Sequence, residues 1–181
     1  VCDSSLLPVK NYRFVPEITV AGKKCLVSTT GYTGEKGYEI YAANADIVEI
    51  YESLMAAGEE FGLEPIGLGA RDTLRFESCM PLYGHELTKD YKLNEVGLDF
   101  AIKHGLGYLG EMPENAVPEY TRAGIKLIDK GVAREHVDLF DEAGDKIGIT
   151  TSGGVCPTLG GSYAMVRILK KYENLDCVFV K

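Results

Sequence analysis

The chain has 181 residues, 45% of them hydrophobic, and carries 19 basic against 27 acidic side chains for a net charge of −8. A chain of that length buries roughly two-thirds of its unfolded surface, enough for one or two domains without disulfide staples. The acidic balance argues against a nucleic-acid binder, which needs a basic stripe to neutralise phosphates, and the longest apolar runs are far too short to cross a bilayer. No secretory signal pattern opens the sequence. Val1 is not an initiator methionine, so the sequence reads as a processed or truncated chain. The five cysteines (Cys2, Cys25, Cys79, Cys156, Cys177) form no C-x-x-C pair, and their odd count argues against a closed disulfide framework. They are expected to be reduced and mostly buried, in a cytoplasmic or mitochondrial-matrix type of compartment. His85, His104 and His136 lack metal-ligand spacing, so no metal site is expected.

In chain order, Ile18-Thr19-Val20 and Cys25-Leu26-Val27-Ser28 flank Ala21-Gly22-Lys23-Lys24 and predict a β-hairpin with a glycine in its turn. A glycine-rich loop follows, Gly31-Tyr32-Thr33-Gly34-Glu35-Lys36-Gly37. Tyr38 to Tyr41 then alternates as a strand, with Tyr38 and Ile40 on one face and Glu39 and Tyr41 on the other. Asn44 or Asp46 can cap a helix whose apolar stripe is Ile47, Tyr51, Leu54, Met55 and Phe61, with Gly62 as its end. A second helix is expected from Leu68 to about Cys79, with Arg71, Arg75 and Ser78 on one face, and Pro81 as its terminator.

Val96 to Ile102 reads as a further strand. Residues 104–118, rich in Gly, Pro and Asn, read as a linker between a domain over 1–103 and another over 119–181. Short strands are predicted at Ala123–Ile128, Val137–Phe140, Lys146–Thr151, Tyr163–Ile168 and Cys177–Val180. Asp141 to Asp145 forms a turn, and Ser152-Gly153-Gly154 a break. Strands at this spacing suggest a small antiparallel barrel or sandwich. The fold class expected is α+β.

Chemistry concentrates around Glu39. A carboxylate offers two acceptors to a flat ring that presents an N–H and an exocyclic amine side by side, as a pterin does. Such a charge-assisted pair contributes roughly 1.5–3 kcal/mol. Gly31, Gly34 and Gly37 would supply a permissive backbone beside it. The bland alternative is an exposed glutamate on a half-buried strand. Arg71 is either a surface arginine paired to Asp72 or Glu77 or a wall of the same pocket, with Arg75 the competing candidate. Tyr32 and Tyr83 could stack on a flat ring. The glycines do not form G-x-G-x-x-G, no P-loop closes, and no G-x-S-x-G elbow is present. His85 and Glu86 are adjacent and not expected to face each other, so both are read as mainly structural.

Thr30-Gly31-Tyr32-Thr33-Gly34-Glu35 followed by Gly37-Tyr38-Glu39, the Gly69-Ala70-Arg71-Asp72-Thr73-Leu74-Arg75 segment, and Leu82-Tyr83-Gly84-His85-Glu86-Leu87 together resemble the glycine cleavage system T-protein, an aminomethyltransferase. Thr150 to Gly154 with Pro157-Thr158-Leu159 is similar to a signature of that family's C-terminal barrel. The resemblance implies part of a mixed α/β folate-binding domain followed by a small antiparallel β-barrel. It also implies transfer of an aminomethyl carbon from the lipoyl arm of the H-protein to tetrahydrofolate, with release of ammonia. Glu39, Arg71 and Tyr32 then look like the folate-pocket glutamate, arginine and tyrosine.

The family's key aspartate has no counterpart here, so the chain is expected to lack an N-terminal portion, to have no catalytic residue of its own and to be inactive alone. The alternative is a non-catalytic folate-binding module or a fragment of a related folate-dependent demethylase.

Overall fold

The computed structural model describes residues 1–107, 110, 113 and 115–181, so part of the 104–118 linker expected from the sequence lies outside the described residues. By contacts the chain divides into two compact units, Val1–Ser78 and Cys79–Lys181.

In the first unit, β1 (Phe14–Val20), β2 (Lys23–Ser28) and β3 (Glu39–Ala42) form an antiparallel sheet in sequence order. The two-residue turn Ala21-Gly22 has φ of 50° and 78°. Positive φ at both positions is what lets so short a turn match the twist of its strands. Ile18, Val20, Cys25 and Val27 are buried on one face, joined by the partly buried Ile40 and Ala42. Their cover is α1 (Ile47–Gly58), which contributes buried Ile50 and partly buried Leu54.

The expected stripe of α1 is corrected here. Ile47, Tyr51 and Phe61 are exposed, and the single fully buried position is Ile50. Burying one such side chain contributes roughly 1.5–3 kcal/mol. The Asp46 side chain makes no capping hydrogen bond. It faces Lys23 Nζ at 3.7 Å, which also meets Glu49 at 3.0 Å. The helix runs into a 3-10 turn at Glu59–Phe61 and stops at Gly62, whose φ of 72° is the left-handed conformation that closes helices.

The second helix, α2 (Leu68–Glu77), ends before Pro81 can act. Ser78 caps it, its hydroxyl bonding the Leu74 carbonyl at 2.9 Å, and Cys79 turns left-handed at φ 56°.

The second unit starts with a turn at Leu82–Leu87 and 3-10 turns at Leu93–Glu95 and Asp99–Ala101. The strand expected over Val96–Ile102 is therefore absent. Gly97 at φ 73° interrupts the extended chain, and Leu98 N–H folds back on the Leu93 carbonyl. Five strands follow, β4 (Tyr120–Lys126), β5 (Asp138–Phe140), β6 (Lys146–Cys156), β7 (Gly161–Leu169) and β8 (Phe179–Val180), in the order β4-β7-β6-β5-β8. All pairs are antiparallel.

The break expected at Ser152-Gly153-Gly154 is instead a bulge within β6, between Thr150 and Ser152. Strand pairing continues through it. A side chain at Gly153 would place its Cβ against the Ala133 carbonyl, so the glycine serves close approach, not termination. The core of this unit is Ala133, Leu139, Ile147, Ala164, Val166 and Ile168. No ladder among the described residues joins β4 to β8, and β8 has only two residues, so the sheet observed is an open five-stranded one.

Candidate functional site

The site lies in the first unit, where β2 and β3 open into the loop over residues 29–38. Cross-strand register sets Ser28 opposite Glu39, on the face of the sheet away from α1. The loop returns over α2 and is clipped there. Ser78 Oγ donates toward the Thr33 carbonyl at 2.8 Å, and Gly34 packs directly on the Ser78 side chain. A Cβ at Gly34 would stand 2.2 Å from Ser78 Oγ, and Gly34 has φ of 75°. Gly31 and Gly37 have open space around them and no positive φ. Of the three glycines expected to free the backbone, only Gly34 is required to be glycine.

The loop, β3 and α2 enclose a cavity of about 540 Å3. That is within the roughly 300–1,000 Å3 typical of small-molecule sites. Tyr32, Glu39 and Arg71 all line it, with apolar walls from Ile66, Leu68 and Leu74. The Arg71 guanidinium sits 4.7 Å from the centre of the Tyr32 ring. Asp72 is taken by Arg75, whose Nε donates to Asp72 Oδ1 at 2.7 Å. Arg75 is buried, so it supports α2, while Arg71 remains exposed on the cavity wall.

Glu39 is held from the side. Thr30 Oγ1 donates to Glu39 Oε2, and Ser28 Oγ lies 2.6 Å from Thr30 Oγ1. Sequence reasoning missed both hydroxyls. Their place becomes legible only with the β2–β3 register, which sets residue 28 against residue 39. The arrangement offers an acceptor pair, a cation and an aromatic face around an apolar floor, which suits a flat, partly polar ring.

The other sequence candidates fall in the second unit. Tyr83 is exposed on the Leu82–Leu87 turn. His85 Nδ1 lies 2.7 Å from Glu135 Oε2 and 3.2 Å from the Thr151 carbonyl, whereas Glu86 is buried and accepts from Leu82 N–H at 3.0 Å. The two do not form a dyad. Cys25 and Cys156 are buried, but Cys79 and Cys177 are exposed and Cys2 is half-buried, so the expectation of mostly buried thiols is corrected. Among the described residues no group of His, Cys, Asp or Glu could hold a metal ion. No helix among them is long and apolar enough to cross a membrane.

Fold and cavity together define a mixed α/β protein of two antiparallel sheets with a carboxylate-bearing small-molecule cavity in its first unit. The sequence model of the GCVT N-terminal domain matches residues 3–105, and the chain belongs to that family. It is 41% identical over 183 residues to an aminomethyltransferase of Bacillus subtilis, covering 97% of this chain and 50% of that protein. It is 43% identical, at the same coverage, to an aminomethyltransferase of Bacillus cytotoxicus. Among solved structures, the glycine cleavage system aminomethyltransferase T from Bartonella henselae superposes with a TM-score of 0.74 at 27% identity, over 87% of this chain and 45% of that one. The chain thus spans about half the length of the curated relatives it matches.

Proposed function

We propose that this chain is part of a tetrahydrofolate-dependent aminomethyltransferase of the glycine cleavage system. The reaction carries the one-carbon unit of an aminomethyl group, borne on the lipoyl arm of the H-protein, to tetrahydrofolate. It releases ammonia and leaves the arm as the free dithiol. The observation that carries the reading is the convergence of Tyr32, Glu39 and Arg71, from a loop, a strand and a helix, on one cavity. Tetrahydrofolate fits the donor set there. The carboxylate of Glu39 accepts the N–H fork of the pterin, Tyr32 offers a face to its ring, and the Arg71 cation suits an anionic portion of the ligand. These residues bind and orient the acceptor. No catalytic residue is assigned within the chain, and the proton transfers are proposed to need the half of the relatives' length that it does not match.

The division we favour is a folate-binding portion over 1–103, a linker over 104–118 and a barrel-like domain over 119–181. The family match ending at residue 105 supports the first boundary. Ile125 of one edge strand and Val180 of the other line a single cavity of about 780 Å3, which supports a barrel-like curl. The bacterial relatives favour a cytoplasmic setting over a mitochondrial matrix. The proposed partners are the lipoylated H-protein and the complementary half of the enzyme. Nucleic acid is not among them, given the net charge of −8.

The test is calorimetric titration of tetrahydrofolate into the wild-type chain and Glu39→Ala. Binding lost in the variant supports the assignment, and equal binding by both removes Glu39 from the site. A second reading, a non-catalytic folate-binding module, draws on the half-length match. Mixing the chain with the complementary half of a relative and assaying ammonia release from aminomethylated H-protein separates the two. Ammonia release excludes the module.

A further inference from the structure

Thr30 and Ser28 have no part in the reading above, yet they form an ordered chain ending on its central carboxylate. Ser28 is buried at 6% exposure, and Thr30 and Glu39 are half-buried. A threonine hydroxyl has a single proton. Thr30 gives that proton to Glu39 Oε2, and an ionised carboxylate can only accept. The contact between Ser28 and Thr30, at 2.6 Å, must then have Ser28 as donor. Both protons therefore point toward Glu39. Among the described residues Glu39 Oε1 takes no hydrogen bond, and Oε2 keeps a second lone pair.

We propose that Ser28 and Thr30 are positioning residues, a two-hydroxyl relay that fixes the Glu39 carboxylate as an obligate acceptor and makes the cavity selective for ligands presenting two adjacent N–H donors. The proposal rests on the folate reading for the identity of the ligand and on the structure alone for the relay. A ring edge that lacks the exocyclic amine keeps only its ring N–H for the carboxylate, and so draws less from the relay. Thr30 itself lines the cavity, and its hydroxyl, spent on Glu39, acts on discrimination through that carboxylate.

The experiment compares wild type, Thr30→Ser, Thr30→Val, Ser28→Ala and Glu39→Gln by calorimetry with two probes. One is tetrahydrofolate and the other is its 2-desamino-2-methyl analogue. Loss of a hydrogen bond to a charged group corresponds to about tenfold in affinity. Thr30→Val is expected to weaken tetrahydrofolate by about that factor and the analogue, which keeps one of the two donors, by clearly less. Thr30→Ser is expected to restore wild-type discrimination, and Ser28→Ala to show a smaller loss of the same kind. Parallel weakening of both probes, as a merely structural role would give, overturns the proposal, as does wild-type discrimination in Thr30→Val.

A second readout keeps the relay apart from the folate reading. The carboxyl carbon resonance of Glu39, followed by NMR in the unliganded chain, is expected to move in Thr30→Val and return in Thr30→Ser. If wild type binds neither probe, the folate reading and the selectivity claim fail together. The relay itself is then decided by that resonance, and an unmoved signal overturns it.

Discussion

Gly34 shows how closely the site depends on single residues. Its left-handed backbone and its contact with Ser78 are separate obstacles to any side chain, since Ser78 is itself bonded to the Thr33 carbonyl it holds. Gly34→Ala is expected to destabilise the chain by about 1–3 kcal/mol, whereas Gly31→Ala, in open space, should stay within about 0.5 kcal/mol. Urea midpoints measure both, and equal costs would refute the account. The cysteines give a second test at this scale. Burial pushes the Cys25 thiol up from its ordinary value, and Cys156 is equally inaccessible. Cys79 and Cys177 are exposed, so a thiol reagent should label these two rapidly and leave Cys25 and Cys156 until unfolding. Peptide mapping after a short pulse reads the order.

Among the elements, the join between the Leu93–Glu95 turn and β7 is electrostatic. Arg167 Nη2 meets Glu95 Oε2 at 2.8 Å, with its guanidinium 3.4 Å from the Tyr120 ring centre and 4.4 Å from that of Tyr91. Burial pushes the Glu95 carboxyl up, but the bond and charge of Arg167, with the Glu119 and Tyr120 backbone, outweigh it and hold the group below its ordinary value. A lowered folded-state value favours folding fully above about pH 4.3, the unfolded-state value. The contribution is lost as pH falls through the folded-state value. Acid unfolding followed by circular dichroism should therefore steepen below that pH in wild type and flatten in Glu95→Gln. Arg167→Ala strands a buried carboxylate and is expected to cost about 3–5 kcal/mol at neutral pH.

How far the elements were legible depended on whether the signal was local. The β1–β2 hairpin was legible because Gly22 marks a turn between two short runs rich in strand-forming residues. The helix end at Gly62 was legible for the same kind of reason. The false strand over Val96–Ile102 came from weighing its apolar residues above Gly97, the residue that breaks it. At β6 the error ran the other way, for Gly153 was read as punctuation when it makes room for the Ala133 carbonyl. On α1, periodicity could not choose among overlapping apolar faces, and the sheet selected Ile50. In the cavity, the glutamate, arginine and tyrosine stood out by motif. Ser28 and Thr30 did not, because a hydroxyl acquires its role from a partner across the strands.

At the scale of the whole chain, each unit leaves sheet edges and apolar side chains without cover among the described residues. Val48, Tyr51 and Phe14 are exposed in the first, and Val155 and Phe179 in the second. Unpaired edges and apolar surface template association. The isolated chain is expected to exceed monomer mass by light scattering as concentration rises through the micromolar range, and a monomer throughout would count against this.

The order of the strands has a further consequence, for synthesis. β1, β2 and β3 pair with their neighbours in sequence, so the ribosome delivers each partner almost at once. β4 instead pairs along its length with β7, Tyr120 opposite Leu169 and Lys126 opposite Tyr163, and β7 reaches the exit tunnel only after β5 and β6. Contacts between distant segments form slowly because loop closure precedes their gain. A nascent chain would therefore carry a finished meander, Glu39 cavity included, while β4 still waits for the strand that flanks it.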